Sequence, residues 1–397
     1  MTIRTTHVGS LPRTPELIEA NRARREGSLG DADFTSLLQD QVDGVVKRQA
    51  EIGLDIVNDG EYGHAMIDTV DYGAWWTYSF SRFGGLSFEN SGGFELRPPA
   101  GRDGRLAFSS FAERRDWQRF ADAYGDPESG IQIVSDNKVL FPAIVDELTY
   151  IGAEAVERDI AGVKHALEAV GKPVSDGFVA AISPGSAARV ANAFYEDDEA
   201  VVWACADVLR EEYKRITDAG LTVQIDAPDI AEGWDQMNPE PSVEDYRAFS
   251  RVRIDALNHA LEGIDPSLVR FHVCWGSWHG PHTTDIAFKD IVDLALLVNA
   301  NGLTFEAANA RHAHEWTIWR DTPLPEGKYL IPGVVSHSTN VVEHPELVAQ
   351  RIRQFADIVG DERVVASTDC GLGGRIYPSI AWANLEALAQ GARLASK

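Results

Sequence analysis

"VRFHVCWG", residues 269 to 276, is a short β-branched and aromatic run that ends in glycine and carries a histidine and a cysteine two positions apart. Such a run predicts a buried strand. Side chains two apart on a strand share one face, so His272 and Cys274 can reach one ion. Seven other runs are built alike: "TTHVGS" (5 to 10), "LDIVNDGE" (54 to 61), "GFVAAISPG" (177 to 185), "LTVQIDAP" (221 to 228), "GLTFEAAN" (302 to 309), "LIPGVVSHS" (330 to 338) and "RVVASTDCG" (363 to 371). Longer segments with a helical apolar period separate them, such as "DFTSLLQDQVDGVVKRQAEIG" before the second run and "HPELVAQRIRQFADIVG" before the eighth. Eight βα units, with no Gly-rich phosphate loop, predict a single closed (β/α)8 TIM barrel over residues 1–397 rather than an open doubly wound sheet.

Residues from about 70 to 150 break this rhythm. "YGAWWTYSFSRFGGLSFENSGGFELRPPAGRDGRLAF" is rich in aromatic residues and glycine, and "GIQIVSDNKVLF" alternates as a hairpin strand does. An insertion after the second strand, lying over the C-terminal mouth of the barrel, accounts for both. Trp75, Trp76 and Tyr78 then either line a substrate pocket or form a small satellite core.

The chain is acidic, with 36 Lys plus Arg against 61 Asp plus Glu and a formal charge of -25. With no basic run to track phosphates, nucleic acid is excluded as a partner. No apolar stretch is long enough to cross a membrane and the N-terminus lacks a signal core, which predicts a cytoplasmic protein. A homo-oligomer is left open. Three well-separated cysteines in so large a chain argue for thiol chemistry or packing rather than disulfides. Cys205, in a helix-period segment, reads as a buried small hydrophobe.

A barrel gathers the ends of its strands into one ring, where βα loops carry chemistry. His272 and Cys274 end the fifth strand, Glu306 the sixth, and Cys370 the eighth. Two thiolates, an imidazole and a carboxylate form the ligand set that selects Zn2+ in a tetrahedral site. Around the same mouth stand His7 and Ser10, Asp59 and Glu61, Asp226, and His337. Carboxylates there can hold an ammonium group, and a histidine can give a proton to a leaving group. Asp55 reads as structural. His279, His282, His312 and His314 lie further past the strand ends and rank as alternative ligands or orienting partners.

The motifs "HVGSLPRT", "VNDGE" followed by "MIDTV", "VQIDAP", "HVCWG", "FEAAN", "PGVVSHS" and "TDCGLG" run in order along nearly the whole chain. Together they resemble the C-terminal zinc barrel of cobalamin-independent methionine synthase and its short single-barrel branch, which also includes epoxyalkane:coenzyme M transferases. The resemblance implies a zinc held by His272, Cys274, Glu306 and Cys370. It implies a small thiol, homocysteine or a coenzyme M-like molecule, bound by Ser10, Glu61 and Asp226, and it makes His337 the proton donor to the departing alkyl donor. The implied activity is zinc-dependent methionine synthase-like S-methyl transfer, with thiolate opening of an epoxide as the alternative and a non-catalytic or decarboxylase-like barrel as a further one. Arg13 and Arg375 are candidate sulfonate partners in the epoxide case. Three departures bear on the donor. The chain has no room for the synthase's additional N-terminal half, Ala227 stands where the family has a carboxylate, and "SPGSAARVANAFY" lacks the tryptophan that packs on the folate ring. All three argue against a folate polyglutamate.

Overall fold

The computed structural model describes residues 2–68, 71, 73–89, 106–109, 111–131 and 140–396. Among the described residues the strands are β1 (Arg4–Thr5), β2 (Phe83–Ser87), β3 (Ala143–Tyr150), β4 (Phe178–Ile182), β5 (Ala191–Asn192), β6 (Thr222–Ala227), β7 (Val269–Val273), β8 (Gly302–Glu306), β9 (Tyr329–Val335) and β10 (Val365–Thr368). Seven of them form one parallel sheet in the order β1-β10-β9-β8-β7-β6-β4. Every residue of β4, β7 and β8 is buried. That is the signature of a parallel sheet covered on both faces: β4 is continuously apolar, while β7 and β8 also bury Arg270, His272, Thr304 and Glu306. The architecture is α/β and TIM-barrel-like.

The second predicted strand does not form a ladder. Its backbone instead spans the gap between the two ends of the sheet. Asp55 N and Ile56 N donate to Thr5 O at 3.2 and 3.0 Å on one side, while Val57 N donates to Asp176 O and Val57 O accepts from Phe178 N at 2.9 and 3.1 Å on the other. Only Val57 makes a bridge, to Gly177. The physical reason lies in Asp55, whose Oδ2 takes Thr5 N at 2.8 Å and Thr5 Oγ1 at 2.9 Å, so that a side chain occupies what a ladder would use.

The predicted helices form where the apolar period places them. Helix Asp31–Ile52 buries Phe34, Leu38, Val42, Val45, Val46 and Gln49, a stripe at 3- and 4-residue spacing, and ends at Gly53 in the left-handed region, φ 97°. Helix Pro345–Val359 starts at His344, whose ring accepts from Glu346 N. Inside the curled sheet, the guanidinium of Arg270 on β7 donates to Thr6 Oγ1 and His7 O at 3.0 and 2.8 Å and lies 3.5 Å from the Phe178 ring centroid. A cation there ties β7 to the loop after β1 across the interior. Cys205 is buried in helix Asp198–Asp218, and burial pushes its thiol far up, as packing requires.

Beyond the second unit, helix Gly73–Phe80 leads into a separate three-stranded sheet, β2-β3-β5, in which β2 and β3 pair antiparallel. The hairpin expected near 130–141 falls largely on 132–139, outside the described residues. Among the described residues no helix is long and apolar enough to cross a membrane.

Asp55→Ala removes the acceptor for two groups of Thr5, which is itself buried. Urea unfolding is expected to show a loss of about 2 kcal/mol, with Asp55→Asn intermediate. An unchanged midpoint would mean that backbone bonds alone hold the gap between β1 and β4.

Candidate metal centre

On β7, His272 and Cys274 point to one side of the strand, and the parallel register sets Asp226 of β6 beside His272. Asp226 Oδ1 accepts from His272 Nδ1 at 2.9 Å and from Gln224 Nε2 at 2.8 Å. That bond fixes the imidazole's orientation and leaves Nε2 buried without a partner among the described residues. Cys370, two residues past the end of β10, brings its Sγ to 3.8 Å from Cys274 Sγ. Ligand atoms of His272, Cys274 and Cys370 all lie within 4.8 Å of one another. Two thiolates about 2.3 Å from a tetrahedral zinc stand about 3.8 Å apart, so the sulfur pair, the orphaned imidazole nitrogen and the carboxylate behind the histidine fit such an ion. The hydrogen bond between the two sulfurs, together with burial, holds the Cys274 thiol well above its usual range, while the same bond draws Cys370 below.

Glu306 does not complete this cluster at close range. Its carboxylate accepts from Trp275 N at 3.1 Å and Asn309 Nδ2 at 2.9 Å, and it groups instead with His337 and Asp369, again within 4.8 Å. The predicted four therefore come together as three, with Glu306 behind them. Asp369 had no motif beyond its place next to Cys370. Its Oδ1 takes Ala307 N and Ala308 N at 2.7 and 2.8 Å, clamping the end of β8 to that of β10. Burial, then the neighbouring Glu306, pushes its carboxyl well up. His337 is fully buried, and neither ring nitrogen has a hydrogen-bond partner among the described residues. Burial and the adjacent His282 and His279 keep it neutral.

Above the sulfurs opens a cavity of about 190 Å³, with Ser10, Glu61 and Asp226 in its wall beside the three metal-group residues. Neither Glu306 nor His337 lines it. Ser10 is drawn to Cys370 by backbone bonds, since Leu372 N and Gly373 N both donate to Ser10 O at 2.9 Å. Glu61 sits in the left-handed region at φ 59°, its carbonyl taken by the buried Arg13 guanidinium and its carboxylate 3.6 Å from His64 Nδ1. Burial alone would raise the Glu61 carboxyl, but His64 and Arg13 outweigh it and keep the group ionised. Gly9, at φ 124°, makes room: a Cβ there would stand 2.2 Å from Glu61 Oε1. His7 is spent on Gln49 Oε1 at 2.8 Å and on Gly9 N, and burial lowers it to about 4.

Trp75 and Trp76 line the cavity. Tyr78, expected with them, does not. It is buried against His64, with ring centroids 3.9 Å apart, and its hydroxyl donates to Glu212 Oε1 at 2.6 Å. Helical spacing turns it inward from the two tryptophans.

The later histidines form no metal group among the described residues. Both nitrogens of His312 face carboxylates, Glu315 Oε2 at 2.9 Å and Asp285 Oδ2 at 3.1 Å. His282 is held between Asp285 Oδ2 and Trp278 O, each at 3.1 Å. With acceptors on both sides, each ring must carry two protons, so two imidazolium ions and two carboxylates form one neutral buried network. Burial opposes the charge, but Asp285 wins, raising His282 to about 9 and, with Glu315, His312 to about 10. His279 Nε2 reaches His337 O at 3.1 Å, and His314 is exposed.

Fold and site thus define a TIM-barrel-like α/β protein with a buried candidate metal group of two thiols and an imidazole at the C-terminal ends of its strands. The family described as "Cobalamin-independent synthase, Catalytic domain" matches residues 3–74 and 128–393, and the chain belongs to it. The chain is 24% identical to the 2-hydroxypropyl-CoM lyase of Xanthobacter autotrophicus over 99% of this chain and 95% of that protein. It is 23% identical to the 5-methyltetrahydropteroyltriglutamate–homocysteine methyltransferase of Pasteurella multocida, covering 94% of this chain but only 41% of that protein. The chain thus spans about two-fifths of that methyltransferase's length. A B12-independent methionine synthase from a Shewanella species shares the fold, with a TM-score of 0.68 at 18% identity over 99% of this chain and 98% of that one.

The histidine–carboxylate network makes stability depend on pH. A histidine with a raised folded pKa contributes stability that is fully present below its unfolded value of about 6.5 and is lost as pH rises through the folded value. Melting temperature is therefore expected to fall between pH 7 and 10, the window set by about 9 and about 10. His312→Gln should melt lower at pH 7 and show a shallower fall; an equally steep fall in that variant would remove the network as its cause.

Proposed function

We propose that the protein is a zinc-dependent transferase that alkylates a small thiol, most simply a methionine synthase-like S-methyltransferase acting on homocysteine. The observation that carries this is the convergence of Cys274, Cys370 and His272 Nε2, which has no partner among the described residues, beside a cavity with Glu61 and Asp226 in its wall. His272, Cys274 and Cys370 would hold zinc, with Glu306 the candidate for the fourth ligand. Bound there, zinc would lower a thiol's pKa so that thiolate is present at neutral pH. Asp226 orients His272, and with Glu61 it would receive the substrate's ammonium group while Ser10 offers a hydroxyl. The thiolate forms a bond to the donor's alkyl carbon, and the bond from that carbon to its heteroatom breaks with the electron pair going to the heteroatom. We assign the proton that follows to His337, whose ring nitrogens are both free of partners among the described residues; since burial keeps the ring neutral, it would relay a proton to the heteroatom rather than store one. On this reading the fold is a closed (β/α)8 barrel with the aromatic stretch over its mouth.

A second reading has two observations in its favour. The lyase relative matches from end to end, and Arg375 lines the cavity where a sulfonate could lie. In that case the thiolate opens an epoxide.

Metal analysis of purified protein is expected to find about one zinc per chain, lost in Cys274→Ser and Cys370→Ser, with Asp226→Asn weakening zinc binding by about 10- to 100-fold. Incubation with homocysteine and a methyl donor should consume thiol, and His337→Gln should slow turnover without changing zinc content. Turnover of coenzyme M with an epoxide alone would select the second reading. Zinc-free protein, or serine variants that bind zinc as well as the parent, would overturn both.

A further inference from the structure

Five aromatic rings, Trp75, Trp76, Phe111, Trp117 and Trp278, stand half-buried around the cavity. Rings left partly exposed along one concave wall are an apolar surface in search of a ligand. Four of the five fall in residues 75–127, between the two stretches that match the family. They are nevertheless held firmly. Trp76 meets Trp75 and Phe141 edge-on, with centroids 4.8 and 5.1 Å apart, and Trp117 stacks on Tyr124 at 4.8 Å.

Trp278 comes from the loop after β7 and is clamped to this segment. Its indole lies 4.5 Å from the Arg114 guanidinium and 4.6 Å from the His282 ring, and Nε1 donates to Tyr124 Oη at 3.0 Å. Asp116 fastens the two pieces together. Its Oδ1 accepts from Thr283 N and Thr283 Oγ1 at 2.8 Å each, and its Oδ2 from His282 N at 3.1 Å and Tyr124 Oη at 2.9 Å. The wall is therefore one preorganised unit.

Its charge disfavours anions. Four acids line the cavity, Glu61, Asp71, Asp226 and Glu232, against three arginines. Arg114 is paired with Glu232, while Arg13 is held by the carbonyls of Leu11, Gly60, Glu61 and His64 and Arg375 donates to Ser277 Oγ, so the three cations are outnumbered by the four acids. A polyanionic tail would meet no surplus of positive charge, in a chain whose net charge is -25.

We infer that this wall binds the electrophile and selects an uncharged molecule with a flat aromatic body over one carrying a polyanionic tail. The inference rests on the proposed thiol alkylation. Thiolate sulfur forms the bond to the electrophile's carbon, the carbon–heteroatom bond breaks, and the heteroatom keeps the pair and takes the proton.

Binding separates this from the chemistry. In calorimetric titrations of the zinc-loaded full chain at 0.15 M salt, 2-naphthol serves as the flat neutral probe and pteroyltriglutamate as the polyanion. 2-Naphthol is expected to bind at least tenfold more tightly. Trp76→Ala and Trp278→Ala should each weaken it about tenfold and Trp76→Phe much less, while zinc content and homocysteine affinity stay within twofold. Asp116→Asn, which loosens the wall without touching the ligand, should weaken 2-naphthol several-fold and leave homocysteine binding unchanged. Pteroyltriglutamate binding as tightly as 2-naphthol, or alanine variants that keep their circular dichroism and their 2-naphthol affinity, overturns the inference. Cys274→Ser should lose zinc and keep 2-naphthol. If homocysteine does not bind while 2-naphthol shows these dependences, the thiolate reading falls and the aromatic wall stands.

Discussion

In the order of the sheet, three steps separate β7 from β10, and strands in a flat sheet lie about 4.8 Å apart. A flat sheet would hold their ends about 14 Å from each other. The sulfurs of Cys274 and Cys370 are 3.8 Å apart, which only a tightly curled sheet permits. Everything else in the site follows from that curl. It turns the C-terminal ends of the strands toward a common centre, and it requires the segment around Val57 to span the gap that the sheet's own ladder leaves. Arg270 then reaches across the interior to the loop after β1, so the same curvature that packs the core also aims the chemistry.

Gathering polar strand ends in a buried place is costly unless each charge meets an opposite one. The molecule meets this with short, closed networks. Asp226 accepts the His272 Nδ1 hydrogen bond, the Arg13 guanidinium stands beside Glu61, and Asp285 with Glu315 neutralises His282 and His312. These pairings also remove freedom: the loop after β7, bearing Trp278, is held at His282 and Thr283 by Asp116. A site so restrained has little to reorganise when a ligand enters, which is the condition for positioning to lower a barrier.

Much of the fold was legible along the chain, and the reason is local. A 3.6-residue apolar period specifies a helix such as Asp31–Ile52 whatever surrounds it, and short β-branched and aromatic runs bounded by glycine and polar clusters specify strands. The exception, residues 54 to 61, looked like the others because its composition is the same. What changed its conformation was the Asp55 carboxylate on Thr5, a contact 50 residues away in sequence. Tyr78 shows the same limit on a smaller scale. It shares an aromatic cluster with Trp75 and Trp76, yet one helical rotation and a Glu212 partner take it out of the cavity wall.

By itself the sequence determined which side chains stand at the strand ends, since that follows from where each apolar run stops, and it determined that His272 and Cys274 share a face, since that follows from a period of two. Only the tertiary structure decided distances between different strands. Curl and register are set by packing of the whole sheet, so the close cluster of His272, Cys274 and Cys370, with Glu306 set back beside His337 and Asp369, could not be read from spacing. The histidines of "SWHGPH" and "RHAHEW" make the point most plainly. As residue types they were candidate ligands, and the carboxylates that fold against them made His282 and His312 buried cations instead.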